Sequence, residues 1–140
     1  MRQSILRYFI SLLLVSLCIC SATSIFIISG SMKEDSEREM MYSVKLIEYN
    51  LDYSKDLNTQ IETLNPLAFS DDTRISIIDE KGKVLADTYK NDISSNHLKR
   101  EEVQQALHSS NHEGYAMRRS ETTNQPLLYA AYYKDTHIIR

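Results

Sequence analysis

Residues 74–88 read RISIIDEKGKVLADT, and this stretch sets the fold expected for the chain. Its first six residues are rich in β-branched side chains, which favours a short strand. Asp79 and Gly82 bracket a segment that suits a type I turn closed by a left-handed glycine. Residues 83–88 then predict the returning strand, so the whole stretch predicts a β-hairpin.

The residues after this hairpin predict one helix and three further strands. The helix is predicted over residues 98–108, with Asn96 or Ser95 as its N-cap and Glu101 and Glu102 in its first turn. Three of its side chains are expected to face the core, namely Val103, Ala106 and Leu107. The strands are predicted over residues 114–121, 127–134 and 137–139, with a hairpin loop over residues 122–126.

In this order the elements predict an α+β fold, in which an antiparallel sheet is flanked by helices. The last predicted strand runs to the end of the sequence. The domain over residues 66–140 is therefore expected to be truncated in its last strand. A small domain with an incomplete strand is expected to be only marginally stable.

A long amphipathic helix is predicted before this domain, over residues 30–65. Residues 32–64 include no glycine and no proline, and Asn65-Pro66 is expected to end the helix. Apolar side chains recur every three or four residues over most of this length, as expected of one buried stripe. The stripe suits packing on the chain's own domain and also a parallel helix pair. A homodimer is therefore predicted through Met40, Val44, Ile47, Leu51, Ile61 and Leu64.

An apolar segment precedes that helix. Residues 8–28 read YFISLLLVSLCICSATSIFII, and no charged residue lies between Arg7 and Lys33. At about 1.5 Å per residue this helix would span about 31 Å, close to the hydrocarbon thickness of a bilayer. A transmembrane helix is therefore predicted over residues 8–29. The small residues at 21–24 make a cleaved signal peptide the alternative, although apolar residues continue through Ile28.

Charges on either side of the apolar segment predict its orientation. Arg2 and Arg7 precede it, and acidic residues follow it from Glu34 onward. The positive-inside rule places residues 1–7 in the cytoplasm. The remainder of the chain is then expected to be extracytoplasmic, anchored in the cell membrane by a single pass.

Composition excludes several classes of function. After the apolar segment 14 basic residues face 19 acidic ones, and no Lys/Arg-rich run occurs, so nucleic acid is not an expected partner. Cys18 and Cys20 both lie inside the apolar segment, which excludes a disulfide-stapled domain and a thiolate zinc site. His108 and His112 are four residues apart, but no third ligand is evident and no metal site is predicted. No catalytic constellation is recognisable either.

Two adjacent arginines are the candidates for ligand binding. Arg118 and Arg119 lie in a predicted strand, so their side chains point to opposite faces and one of them faces the core or a pocket. There it would form an ion pair, which is the simpler interpretation, or hold an anionic ligand through its planar guanidinium. If a ligand site exists, its predicted residues are Arg118, Arg119, Tyr129 and Asp87.

Three stretches carry a resemblance to a known family: RISIIDEKGKVLADT, NHLKREEVQQAL (residues 96–107) and GYAMRRSETTNQPLLYAAYY (residues 114–133). Together with the anchor and the long helix they resemble the extracytoplasmic PAS-like (PDC/Cache-type) sensor region of bacterial sensor histidine kinases, especially phosphate-regulon kinases of Gram-positive bacteria. The resemblance implies signal sensing in a two-component phosphorelay, with an extracellular ligand or protein as stimulus. Relatives typically carry a proline where this chain has Glu101.

The catalytic features of such kinases are missing from the sequence. The family implies a second membrane helix, a phospho-accepting His followed by Glu, and a Gly-rich ATP lid. His112 precedes Glu113, but Gly114 follows at a predicted loop-to-strand junction. ATP, magnesium and a response regulator are therefore expected only for a kinase domain outside this sequence. The alternatives are the sensor portion of a chemoreceptor or diguanylate cyclase, a stand-alone membrane-anchored binding protein, and a protein secreted after cleavage near Ala22.

Overall fold

A computed structural model describes residues 2–67, 73–89, 96–119 and 124–140. The helices and strands in these ranges are α1 (Arg2–Asn50), α2 (Leu57–Leu64), β1 (Ser76–Asp79), β2 (Val84–Asp87), α3 (Glu101–His108), β3 (Glu113–Arg119), β4 (Pro126–Lys134) and β5 (His137–Ile139). A 3-10 turn, Asn65–Leu67, follows α2. The predicted α+β class is confirmed, and the predicted order of elements is observed except that two helices precede the hairpin where one was predicted. The chain divides into two compact units, residues 1–36 and residues 37–140.

The first unit is helical throughout its described residues and belongs to α1. Its large apolar side chains are exposed, and no residue of its most apolar stretch is buried. By length and composition, α1 is the one helix within the described ranges that is apolar enough to cross a membrane. A signal sequence has the same properties, so the anchor and the cleaved signal both remain compatible with this helix.

The second unit contains one five-stranded antiparallel sheet with the strand order β2-β1-β5-β4-β3. The last strand in sequence lies in the middle of the sheet, where β5 pairs with β1 and with β4. The ladder extends one residue past β5, because the backbones of Ser76 and Arg140 exchange two hydrogen bonds of 2.8 Å. The edges of the sheet are β2 and β3.

Helices cover both faces of this sheet. One core cluster joins α1 and α2 to the sheet and includes Met41, Val44, Ile47, Ile61, Ile77, Ala130 and Ile139. The other joins α3 to the opposite face and includes Ile78, Val84, Val103, Ala106, Ala131 and Ile138. Neighbouring residues such as Ala130 and Ala131 belong to different clusters, because successive side chains of a strand point to opposite faces. The predicted inward positions of α3 are confirmed, with Leu107 packed at the margin.

The prediction of one continuous helix over residues 30–65 is wrong at residues 51–56. The α1 helix ends at Asn50, and α2 begins at Leu57. The Asp52 carboxylate accepts hydrogen bonds from the Ser54 backbone N–H and hydroxyl, and these bonds, with Lys55, lower the pKa of Asp52 to about 2. The Asp56 carboxylate caps α2 by accepting from the Thr59 N–H at 2.8 Å. Aspartate side chains of this kind compete with helical backbone hydrogen bonds.

The turn of the hairpin over residues 74–88 agrees with its prediction, because Gly82 has a φ of 78° and its N–H donates to the Asp79 carbonyl at 2.9 Å. The observed N-cap of α3 differs from the predicted one. Arg100 is the N-cap, without a side-chain hydrogen bond, and the Asn96 side chain instead accepts from the Leu98 N–H. The alternative cap Ser95, and residues 120–123 of the predicted strand end and loop, lie outside the described residues.

Candidate functional site

The first turn of α3 places a fully buried carboxylate, Glu102, against the sheet. Arg118 of β3 donates from Nη1 to Glu102 Oε2 at 2.8 Å. Arg140, which follows β5, donates from Nε to Glu102 Oε1 at 2.6 Å. These three residues and Tyr129, described below, form what we call the arginine cluster. It links α3, β3 and the segment that follows β5.

A glycine in β3 explains why Glu102 comes so close to the sheet. A Cβ atom built at Gly114 would lie 1.9 Å from the Glu102 carbonyl oxygen and 2.7 Å from the Ala106 nitrogen. The backbone of α3 therefore rests directly on the backbone of β3. Arg118 follows Gly114 by four residues in the same strand, so its side chain points to the same face and reaches Glu102.

Tyr129 completes the cluster from the neighbouring strand β4. Its ring lies 3.8 Å from Arg118 Cζ and 4.8 Å from Arg140 Cζ, measured to the ring centroid. Register explains this placement, because Tyr129 pairs with Ala116, which precedes Arg118 by two residues on the same face. Guanidinium groups at these distances interact favourably with an aromatic ring.

The electrostatics of the cluster favour an ionised Glu102. Burial raises the pKa of Glu102, but hydrogen bonds from Arg118 and then Arg140 outweigh it, so the net pKa lies below its usual value. Burial lowers the pKa of Arg140, and the bond to Glu102 opposes that effect. One carboxylate thus faces two guanidinium groups, and the cluster carries an excess of positive charge.

The structure brings together two of the four predicted ligand residues, Arg118 and Tyr129. Of the two adjacent arginines, Arg118 faces inward as an ion pair, which is the simpler of the two interpretations of the sequence. Arg119 is exposed on the opposite face, where it donates to the Asn124 carbonyl at 3.1 Å. None of the hydrogen bonds of Asp87 involves the arginine cluster.

Asp87 belongs to a second buried ionic group at the β1–β2 edge. Arg74 donates to it from Nε and Nη2, both at 2.9 Å, and the Ser76 hydroxyl donates at 2.7 Å. The Tyr89 backbone N–H donates to the same carboxylate at 2.7 Å. With its donors arranged in this way, Asp87 serves to hold the ends of β1 and β2 together.

Sequence reasoning missed Glu102, Arg140 and Arg74 as members of these groups. In the local sequence, Glu102 is an ordinary acidic residue of a first helical turn, since acidic residues are favoured at a helix N-terminus. Its neighbour Glu101 has the same local signal but is exposed. The one available signal is helical spacing, because Glu102 lies beside Val103 and four residues before Ala106, both of which are buried.

The two histidines considered as metal ligands make other contacts. His108 Nδ1 lies 2.8 Å from the Gln104 carbonyl, within α3. His112 adopts a φ of 60° and packs edge-on against the Tyr133 ring at 5.5 Å. Among the described residues, no group of three His, Cys, Asp or Glu side chains is placed to hold a metal ion.

All six residues predicted for the dimer helix lie in the core cluster on the α1 face of the sheet. Val44, Ile47 and Ile61 are buried, and Met40, Leu51 and Leu64 are packed against them. The stripe therefore packs on the chain's own domain, which is one of the two possibilities that its spacing allowed. The opposite face of α1 bears Tyr42 and Tyr49, which are 70% and 81% exposed.

The chain was also compared with known proteins. A scan against protein-family models, a search of the curated proteins and a search of the solved structures each found no match.

Proposed function

We propose that this chain is the extracytoplasmic signal-sensing, membrane-anchored N-terminal portion of a two-component sensor histidine kinase, with a PAS-like sensor domain. The observation that carries the proposal is the order of elements: a long apolar N-terminal helix, two strands, a helix and three strands in one antiparallel sheet. The resemblance of the sequence to that sensor family rests on the same order of elements. In this proposal, phosphorylation and the response regulator belong to a part of the receptor beyond these residues.

Contacts between α1 and the sheet support a role in relaying a signal. The α1 helix contains both the apolar segment and residues of the domain core. Lys45 of α1 forms an ion pair with Glu113 of β3, and Glu48 forms one with Lys134 of β4 at 2.8 Å. A change in the packing of the sheet would therefore displace the end of α1. Small helix displacements of this kind are an established way to transmit a conformational change.

Protease treatment of intact cells that produce the chain tests its topology. We expect the protease to remove residues after Ser31 and to leave a membrane-bound N-terminal fragment, because the positive-inside rule holds residues 1–7 in the cytoplasm. Cells opened before treatment provide the control for protease activity. If the chain stays intact when protease is added to whole cells, the proposed topology is contradicted. A mature N-terminus near Ala22 would identify a cleaved signal peptide instead of an anchor.

The coding sequence that follows residue 140 tests the type of output. A second membrane helix, a phospho-accepting His followed by Glu and a Gly-rich ATP lid support the kinase. Another output domain in the same place supports a chemoreceptor or a diguanylate cyclase. A stop codon at that position contradicts both and leaves the stand-alone anchored binding protein.

We also propose that the receptor is a homodimer, and that the second copy binds the exposed face of α1. Tyr42 and Tyr49 are seven residues apart, so they share one face of the helix, with Leu46 between them. Seven-residue spacing is the repeat of parallel helix pairs.

Replacement of both exposed tyrosines should weaken this dimer. In detergent micelles, the full chain carrying Tyr42→Ser and Tyr49→Ser is expected to dissociate at a concentration at least about tenfold higher, since large aromatic side chains dominate interface energies. Analytical ultracentrifugation measures the change. Met117→Ser, at a similarly exposed apolar residue of β3, is the matched control. If the double variant, the control and the unmodified chain dissociate at the same concentration, this face of α1 is excluded as the dimer interface.

A further inference from the structure

We propose that the sheet domain contacts the phospholipid surface of the membrane through the end of the β3–β4 hairpin. We call this surface the hairpin end, and it comprises Met117 and Arg119 of β3 with Pro126 and Leu127 of β4. The inference rests on the membrane anchor of the proposed function. It extends that proposal by giving the sheet domain a lipid partner of its own, in addition to the anchoring helix.

The β3–β4 hairpin extends beyond the other three strands of the sheet. Tyr132 of β4 pairs with Ile139 at the end of β5 and with Glu113 at the start of β3. Beyond this level, β4 continues to Pro126, which corresponds to about 20 Å of strand. β1 and β2 stop at the pair that involves Ser76, one residue past Ile139. The hairpin end therefore projects from the sheet.

The α1 helix approaches the hairpin end in the direction of its N-terminus. Glu48 of α1 forms its ion pair with Lys134, at the opposite end of β4. Lys45, about one turn earlier in α1, forms its ion pair with Glu113. Glu113 lies opposite Tyr132, so this contact is closer to the hairpin end than the contact with Lys134.

Glu37, the first residue of the second unit, continues this direction. Tyr115 follows Glu113 in β3 and lies closer to the hairpin end. Burial and the hydrogen bond to Glu113 raise the pKa of Tyr115, and the negative charges of Glu113 and Glu37 raise it further, so Glu37 acts on β3 at this level. The chain thus enters the sheet domain on the side of the hairpin end.

The connection from the apolar segment to this entry point is short. Residues 29–36 are all that separates Ile28 from Glu37. Even a fully extended chain of this length spans only about 30 Å. Once residues 8–28 lie in a bilayer, the hairpin end is therefore the part of the sheet domain that is held within reach of the lipid surface.

Exposed apolar side chains of the sheet domain are concentrated at this end. Among the described side chains of residues 51–140, four large apolar ones are exposed, and two of them, Met117 at 56% and Leu127 at 40%, belong to the hairpin end. A third, Tyr89, follows β2 at the same end of the sheet. The β1–β2 turn at the opposite end instead exposes Glu80 and Lys81. Exposed apolar and aromatic side chains beside cations are typical of surfaces that enter the headgroup layer.

The charge at this end suits phospholipid headgroups. Arg119 is exposed, and Lys99 and Arg100 precede α3, whose first turn contacts β3. These three cations outnumber Glu101 and Glu121, the acids nearest to them in sequence. Cationic side chains are attracted to an anionic membrane surface, and a guanidinium can donate to two phosphate oxygens. The apolar side chains would reach the acyl boundary while Arg119 stays among the headgroups.

Lipid contact at the hairpin end would act on the same strand that holds α1. Met117 and Arg119 belong to β3, and β3 is linked to α1 by the ion pair of Glu113 with Lys45. A change in the charge or the thickness of the bilayer would therefore displace β3 relative to α1. The lipid surface itself thus becomes a stimulus for the sensor.

Quenching by brominated lipid tests this contact in the full chain. A Cys18→Ser, Cys20→Ser background carries one fluorescent label at Met117→Cys, and the chain is placed in nanodiscs that contain phosphatidylglycerol brominated near the headgroup. We expect at least about twofold stronger quenching of this label than of one at Lys81→Cys, because only the hairpin end enters the lipid surface. Equally weak quenching at both positions overturns the inference.

A label on the native Cys20, in a chain with Cys18→Ser, reports the anchor separately. Cys20 lies in the apolar segment, so its label should be quenched when that segment is inserted. A quenched Cys20 label combined with equally weak quenching at residues 117 and 81 overturns the lipid contact and leaves the anchor in place. Absence of quenching at Cys20 contradicts the anchor and, with it, this inference.

A charge reversal assigns the contact to the hairpin end. Arg119→Glu is expected to reduce quenching of the label at residue 117 by about twofold, because it replaces attraction to anionic headgroups with repulsion. Lys83→Glu makes the same change of charge in the exposed β1–β2 region at the opposite end and should leave the quenching unaltered. Equal quenching in the two variants overturns the inference.

Discussion

Gly114→Ala is expected to destabilise the sheet domain by about 3 kcal/mol, because the new methyl group has no space. Its Cβ would lie 1.9 Å from the Glu102 carbonyl oxygen, which is a backbone atom of α3. A flexible side chain could rotate away from such a contact, but here the whole helix has to move off the sheet. Urea unfolding of the full chain in detergent, followed by near-ultraviolet circular dichroism, measures the loss.

Gly30→Ala is the matched control for this substitution. No heavy atom lies within 4 Å of a Cβ built at Gly30, which is in α1 and in the N-terminal unit. Alanine favours a helix over glycine by up to about 1 kcal/mol, so this variant should not lower the stability of the sheet domain. A Gly114→Ala protein as stable as Gly30→Ala would contradict the direct contact between α3 and β3.

Glu102→Gln is expected to cost about 3 kcal/mol of stability at neutral pH. Glutamine keeps the size of the side chain, so no cavity forms, but two guanidinium groups lose their counter-charge. Removal of one partner of a buried ion pair is strongly destabilising for this reason. The neighbouring Glu101→Gln is the control, because Glu101 is exposed and accepts one long bond from Gln105 at 3.3 Å. It should change stability by less than about 0.5 kcal/mol.

The pH dependence of stability distinguishes the charge of Glu102 from its size. Because the pKa of Glu102 is lower in the folded chain than its ordinary value of 4.5, its contribution is fully present above that value. The contribution is lost as the pH falls through the folded pKa. The Glu102→Gln protein lacks this loss, so its stability should decline less on acidification below pH 4.5. Identical pH profiles of both proteins would show that the cluster does not hold an ionised Glu102.

Local sequence signals were sufficient for most of the elements. The hairpin over residues 74–88 was predictable because β-branched residues flank a turn whose Gly82 accepts a positive φ. The break between α1 and α2 was missed, although the apolar stripe has a step of six residues there, from Leu51 to Leu57. Regular spacing on both sides of this step drew attention away from the competition by Asp52 and Asp56. Periodicity reports which face is buried, and it does not report whether the backbone between two apolar residues stays helical.

The candidate site was predictable only in part. That Arg118 and Arg119 point to opposite faces follows from strand geometry, and the structure places them so. Which of the two faces inward, and that Glu102 is its partner, depends on the contact of α3 with Gly114. Asp87 was predicted to lie near these arginines, but no local signal in the sequence fixes that distance. Its carboxylate accepts hydrogen bonds from Arg74 and Ser76 instead.

Short-range chemistry in the amino-acid sequence was enough to specify the apolar N-terminal helix, the order of helices and strands, and the α+β class. These features depend on the composition and spacing of neighbouring residues. Long-range packing was needed to place β5 between β1 and β4, to bury the stripe of α1 on the chain's own sheet, and to gather Glu102, Arg118 and Arg140. Those residues are far apart in sequence, and their proximity arises from strand pairing and from the close approach that one glycine permits.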